Sequence, residues 1–505
     1  MRNSGYRGFN SVGIGVEMAI SVVWLKRDLR LTDHQPLCAA AASGLPVLLL
    51  YCFEPMLLAD PHYSARHWRF VRESLQDIQQ RLPIGSLYVI KQDVLDTLAQ
   101  LHRKFTIAQL FSHQEVGLDN TFSRDKAVQA WCDKHSVTWQ EAPYAAVVRG
   151  LAQRDNWDNH WQAVMRAPQA EVQLARVPWF TDAAALPNFK CVTDYPVTRD
   201  TAFQLGGEQA AWRTLESFFQ QRGQRYFGSI SSPELSQIHC SRLSAYLAWG
   251  NLSLRQVYQV LLSHWNTPGW RRSLVAFSAR LHWHCHFIQK FESQSDMQFY
   301  PLNSGYDLMP RVSGELAEQR LLAWQQGQTG IPMVDACMRS LQHTGYLNFR
   351  MRAMLVSFLC HHLEVDWRYG VQHLARLFLD FEPGIHFAQF QMQAGVTGIN
   401  TIGIYSPAKQ GEEKDPNGRF VKTWVPELAD IPAPLVHSPW LLSPMECLMY
   451  NIELGKDYPK PIVDLKHSYA KAQELLWHWR EKPEVKRENY RLLKRHVRLS
   501  AKGRA

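Results

Sequence analysis

A chain of 505 residues and 58.3 kDa points to two or three domains at ~150 residues each. Its 46% hydrophobic and 20% charged residues exclude a disordered chain, and no apolar run approaches the ~20 residues of a membrane span. The net charge is +9, but eight basic side chains against one acid in the last twenty residues supply +7 of it and leave +2 for the other 485, so basicity alone does not establish nucleic-acid binding.

In chain order, residues 20–25, 46–53, 87–90, 109–112 and 137–141 read as strands rich in Val, Ile, Leu and Tyr. Between the second and third, Trp68, Val71, Leu75, Ile78 and Leu82 form the apolar stripe of a helix. Such βαβ alternation predicts a parallel, doubly wound sheet with helices on both faces. The dinucleotide fingerprint GxGxxG is missing: Lys26-Arg27-Asp28-Leu29-Arg30 follows the first strand, and Gly13-Ile14-Gly15 lies before it. Residues 142–209 lose periodicity and carry Pro143, Pro168, Pro178, Pro187 and Pro196, as an interdomain connection would.

Beyond Ala210 helices dominate. Ser253 to Gln256 spells a capping box, and Met351, Met354, Leu355, Phe358 and Leu359 mark one buried helix face. Arg487, Arg491, Lys494, Arg498 and Lys502 recur at helical spacing, which reads either as a phosphate-facing stripe or as a solvated helix end. Nine scattered cysteines without a CxxC pair fit a reducing, cytoplasmic setting. The group His282, His284 and His286 lacks carboxylate or thiol companions on one face, so no metal is expected.

The stretch from Trp324 to Arg339, WQQGQTGIPMVDACMR, continuing to Thr344-Gly345-Tyr346-Leu347-Asn348-Phe349-Arg350-Met351-Arg352, resembles the photolyase/cryptochrome family. So do Val23 to His34 and the block from Pro407 to Leu428. The resemblance implies an α/β N-terminal antenna domain over 18–141, a connection over 142–209, an all-α C-terminal FAD-binding domain over 210–480 and a basic tail over 481–505. It also implies FAD, a second antenna chromophore of folate or deazaflavin type, and DNA containing pyrimidine dimers as partner of a monomeric, cytoplasmic protein. Carried over residue by residue, Cys240, Ser241, Arg242, Leu243 and Ser244 look like the phosphate-binding segment, with Cys240 in place of Thr, and Tyr226 like the tyrosine upstream. Asp380-Phe381-Glu382 resembles the paired acids beside the flavin, with Arg352 as their arginine, and His386 is placed facing the ring.

The departures bear on activity. The family's Glu-x-x-Trp-Arg becomes Arg280-Leu281-His282-Trp283-His284, so the base-stacking Trp283 stays while the lesion-touching acid is Arg280 and the cofactor arginine is His284. In the second DNA-facing segment only Arg350 carries over, flanked by Asn348, and Gln410 matches a late DNA-contacting glutamine. Of the electron-relay tryptophans, Trp367 fits the middle position. The flavin-proximal one falls at Phe390 or Ala388, and the distal one near Gly314. Two activities follow: light-driven DNA repair, or cryptochrome-type signalling through a protein partner.

Overall fold

A computed structural model describes residues 18–186, 199–401 and 403–496. Strands β1 (Ile20–Trp24), β2 (Val47–Cys52), β3 (Leu87–Ile90), β4 (Ile107–His113) and β5 (Thr138–Ala142) form one sheet in the order β3-β2-β1-β4-β5. Every pairing is parallel. β1 and β2 are buried along their whole length, which is why they read as continuous apolar runs; the edge strand β5 alternates instead. Successive side chains diverge to two cores. Ile20, Val22 and Trp24 pack with Leu98 and Leu101 on one face. Val23 and Leu49 pack with Trp68, Val71 and Leu75 on the other, in a cluster that runs on into the helical part.

Three readings need correction. The helix between β2 and β3 is Ala65–Gln79, so Leu82 lies past its end, although it is buried. Helix Trp157–Arg166 interrupts the supposed connection, burying Trp157, Trp161 and Met165. The buried residues repeat at a spacing of four, a stripe that the surrounding prolines obscure in the sequence. The chain then returns to the sheet, where Phe180 N donates to Val47 O. Pro187 and Pro196 fall outside the described residues. Third, the basic tail begins as a docked helix, Pro483–His496, with Val485, Leu492 and His496 buried. Arg487 and Lys494 are exposed, Arg491 is bound to Glu488, and Arg498 and Lys502 lie outside the described residues.

After residue 199 the described chain is helical apart from an isolated bridge, and none of the described helices is long and apolar enough to cross a membrane. Two helices set the site. Arg271–Ser293 and Pro383–Gln393 approach so closely that a Cβ on Gly384 would lie 2.8 Å from Ile288 Cα. The long motif earns its residues structurally: Asp335 accepts from Thr329 N (2.8 Å), Thr329 Oγ1 (2.7 Å), Gly330 N (3.0 Å) and Tyr458 Oη (2.6 Å). The capping box forms as expected, starting helix Leu254–Ser263.

Candidate functional site

A cavity of about 230 Å³ opens between the helices that carry the candidate residues. Its wall holds Tyr226, Cys240, Ser241, Arg242 and Ser244 on one side, Arg280, Trp283 and His284 on another, and Asn348, Arg352, Asp380 and Glu382 at the base. Phe381, His386 and Phe390 line a small adjoining hollow that shares Arg352, Asp380 and Glu382. Leu243 lies on neither wall; it is buried as the residue preceding helix Ser244–Ala248.

The segment 240–244 is shaped by an arginine the sequence did not single out. Arg222 donates to Cys240 O and, at 2.8 Å, to Ser241 O, drawing both carbonyls toward itself. Arg242 takes a left-handed backbone (φ 60°), and its guanidinium lies 3.5 Å from the centroid of the Tyr346 ring. The two serines and this arginine line the cavity as donors for an anion.

The acids divide between two arginines. Arg352 pairs bidentately with Asp380, Nη1 to Oδ1 at 3.0 Å and Nη2 to Oδ2 at 2.7 Å. Burial works to raise the Asp380 carboxyl, but Arg352 and the Ser244 hydroxyl hold it below its usual range. Glu382, expected to share Arg352, instead faces Arg27 of the loop after β1 at 3.4 Å. Burial outweighs that partner and pushes Glu382 up to about 7. Tyr144 stands 3.5 Å from Glu382; neither it nor Arg27 carries a sequence signal for this role, because their partners lie far away in the chain.

Four buried polar atoms around this region have no hydrogen-bond partner among the described residues: Asn348 Oδ1, His284 Nδ1, Arg280 Nε and Arg350 Nε. Those of Asn348, His284 and Arg280 belong to the cavity wall and suit a polar heterocycle with both donors and acceptors, as FAD is. Asn348 is therefore a wall residue, 4% exposed and fixed by Nδ2 to Ile230 O at 3.0 Å. His284 is kept neutral, down to about 4, by burial and by Arg27. At the rim Trp283 is 41% exposed, with Arg280 over one face of its ring at 4.1 Å. Arg350 reaches Gln410 at 3.4 Å.

His386 donates Nε2–H to Val371 O at 2.9 Å and stands among Phe378, Phe381, Phe387 and Phe390. Trp367 is buried, and its indole N–H has no partner among the described residues. A second buried indole, Trp324, adjoins Phe390: a Cβ on Gly370 would meet Phe390 Cζ at 3.2 Å and Trp324 Cη2 at 3.4 Å. The long motif contains Trp324, and nothing in the spacing distinguishes it from a core residue.

A larger cavity of about 490 Å³ lies between the sheet and the helical part. It sits at the carboxyl ends of β1 and β4, where the strand order reverses and open α/β sheets bind ligands. His284 lines both cavities. Asp28, His34 and His113 cluster here closely enough for a metal ion, yet hydrogen bonding accounts for them. His34 Nδ1 accepts from Leu37 N, so its Nε2–H donates to Asp28 at 3.0 Å. His113 Nδ1 binds the same carboxylate at 2.6 Å. The three clustered histidines disperse: His282 binds Asp158, His286 binds Arg154, and His284 faces the cavities.

Residues 21–150 match the family model described as DNA photolyase, and residues 277–478 match that of the FAD binding domain of DNA photolyase. The chain is 29% identical to cryptochrome DASH of Gloeobacter violaceus over 90% of its own length and 95% of that protein. It is also 29% identical to deoxyribodipyrimidine photo-lyase of Escherichia coli, over 91% and 98%. A class III photolyase structure from Agrobacterium tumefaciens shares the fold, with a TM-score of 0.78 and 23% identity over 94% of this chain and 100% of that one. With both family models matched in chain order on a parallel sheet and a helical cavity, this chain belongs to the photolyase/cryptochrome family and carries its FAD-binding domain.

Proposed function

We propose that this protein is a blue-light-driven, FAD-dependent photolyase that splits pyrimidine dimers in DNA. The observation that carries the reading is one cavity leading from the Arg352–Asp380 pair to a half-exposed indole, Trp283, flanked by Arg280. Ser241, Ser244 and Arg242 would bind the pyrophosphate, while Asn348, His284 and the Asp380–Arg352 pair would orient the ring. The chemistry supplied by bound, reduced FAD is light-driven electron donation to the dimer, with return of the electron once the ring has opened. Trp283 offers its free face to a flipped pyrimidine, and Arg280 and Arg350 attract the phosphates beside it. The buried wall excludes water from the transfer path. The interdomain cavity, whose lining mixes apolar Val147, Val164, Met165 and Leu252 with Arg30, Arg149 and the His113 imidazole, is assigned to a second, light-harvesting chromophore of folate or deazaflavin type.

One feature favours signalling instead. Where the family pattern has an acid, this chain has Arg280, and its guanidinium covers one face of Trp283. The deciding measurement is conversion of a dimer-containing oligonucleotide under blue light, with Trp283→Ala alongside. Repair is expected, and the substitution should weaken dimer binding by about 1–3 kcal/mol while flavin content holds. Equal affinity for damaged and intact strands with no photoconversion would assign the protein to the photoreceptors.

A further inference from the structure

We propose that His113 sets which ligand the interdomain cavity accepts, its Nε2 taking a hydrogen bond from the lactam N–H of an uncharged pyrimidinone ring. The inference rests on the assignment of that cavity to a second chromophore and adds the group that recognises it. At about 490 Å³ the cavity falls in the ~300–1,000 Å³ range of small-molecule sites. His113 ends β4 and lines the cavity while itself only 8% exposed.

Backbone and carboxylate together fix the state of the ring. Leu37 N donates to His34 Nδ1 at 3.1 Å, so the proton of His34 lies on Nε2 and is given to Asp28 Oδ2 at 3.0 Å. Lys26 N donates to Asp28 Oδ1 at 2.8 Å. Burial works to raise the Asp28 carboxyl, but the bonds from His113 and His34 hold it well below its usual range. An ionised carboxylate only accepts, so His113 Nδ1, 2.6 Å from Oδ2, must carry hydrogen. Burial opposes a second proton and, against the pull of Asp28, pushes the His113 ring down to about 4. At neutral pH Nε2 is therefore a bare lone pair.

That lone pair has no hydrogen-bond partner among the described residues. The charged side chains around it are spent on one another or on the backbone. Arg30 donates to Asp33 O and Gly250 O, both at 3.0 Å. Asp33 pairs with Arg255 at 2.7 Å, Arg149 with Glu141 at 2.7 Å, and Arg27 faces Glu382 at 3.4 Å. A cavity whose charges are matched internally favours an uncharged ligand over an ion. Its empty acceptor disfavours a ligand that brings no donor. The donor must also keep its proton at neutral pH, because so weak a base cannot take it; an acidic hydroxyl that ionised would set one lone pair against another. Gln114, next in the chain, lines the same cavity, and its side-chain amide has no hydrogen-bond partner among the described residues. That amide supplies an N–H for the carbonyl beside the ring N–H, so the two neighbours match the lactam edge of a pyrimidinone.

The test is fluorescence titration of the FAD-loaded, full-length protein with riboflavin and with lumazine, each against its N-methylated analogue, which lacks the lactam N–H. The unmethylated ring should bind about tenfold more tightly than its analogue. His113→Leu should keep its FAD and lose that preference, with both forms bound alike. Equal affinity for methylated and unmethylated rings in wild-type protein, a comparison that needs no variant, would overturn the role of His113. So would an undiminished preference in H113L. If neither heterocycle binds, the chromophore assignment of the cavity falls, and this inference with it.

Discussion

Asp380 and Glu382 stand two residues apart and titrate in opposite senses because each faces a different arginine in a different setting. Burial raises Asp380, but the bidentate Arg352 more than offsets this and lowers it. Its contribution to stability is present at neutral pH and lost as the pH falls through its depressed value. For Glu382 burial dominates over Arg27, and the group is raised to about 7. The folded state then holds a proton that the unfolded state has released above ~4.5, so stability falls as pH rises from about 5 to 7. Glu382→Gln imitates the protonated form. Its unfolding midpoint should match wild type near pH 5.5 and change less between pH 5.5 and 8, where wild type loses up to roughly 2–3 kcal/mol. Denaturant titrations at the two pH values check this. Parallel pH profiles for the two proteins would mean that Glu382 is ionised throughout.

At the scale of elements, segment 240–244, which we assign to the pyrophosphate, leads into a helix, Ser244–Ala248, of only five residues. Arg222 turns two carbonyls aside, and the left-handed Arg242 bends the chain so that both serines line the cavity. Ser241→Glu with Ser244→Glu would set two carboxylates against the pyrophosphate and beside Asp380. The purified double variant should be colourless while its far-ultraviolet circular dichroism is unchanged; full flavin absorbance would remove the assignment. The legibility of such elements followed their burial. β1, β2 and β3 could be read because both faces are covered and the residues are apolar throughout. Helix Trp157–Arg166 could not, because prolines on either side broke the window in which Trp157, Trp161 and Met165 repeat. Most cavity-wall residues were legible through motif likeness. The roles of Tyr346 on that wall, and of Arg222 and Arg27 behind it, are not legible, since they arise from contacts with segments remote in the chain, such as Arg27 with Ala248 O and Phe381 O.

Across the whole molecule, the loop after β1 is the seam joining sheet to helices. Arg27 Nε donates to Ala248 O at 3.0 Å, Leu29 N to Trp249 O at 3.1 Å, and Arg30 Nη1 to Gly250 O at 3.0 Å; Asn251 Nδ2 returns a bond to Leu29 O at 2.9 Å. Asp33 adds a pair with Arg255 at 2.7 Å. One apolar cluster crosses the same seam, so wild-type protein should unfold in a single calorimetric transition. Gly250 is the point where this closure is tightest. Its φ is +67°, and a Cβ there would lie 2.2 Å from Arg27 O and 2.5 Å from Asp28 Cα, both backbone atoms with no freedom to swing away. Gly250→Ala must therefore part the two strips of chain. The left-handed backbone costs about 1–2 kcal/mol and the overpacking about 1–3 kcal/mol, before any hydrogen bond is lost. The variant should unfold several degrees lower, in a transition that broadens or splits as sheet and helices separate. Its flavin should be released earlier in the scan, because Arg27 would be drawn away from Glu382 and the partition between the two cavities opened. An unshifted single transition would show that the seam bonds do not couple the two parts, and that the shared apolar cluster alone holds them together.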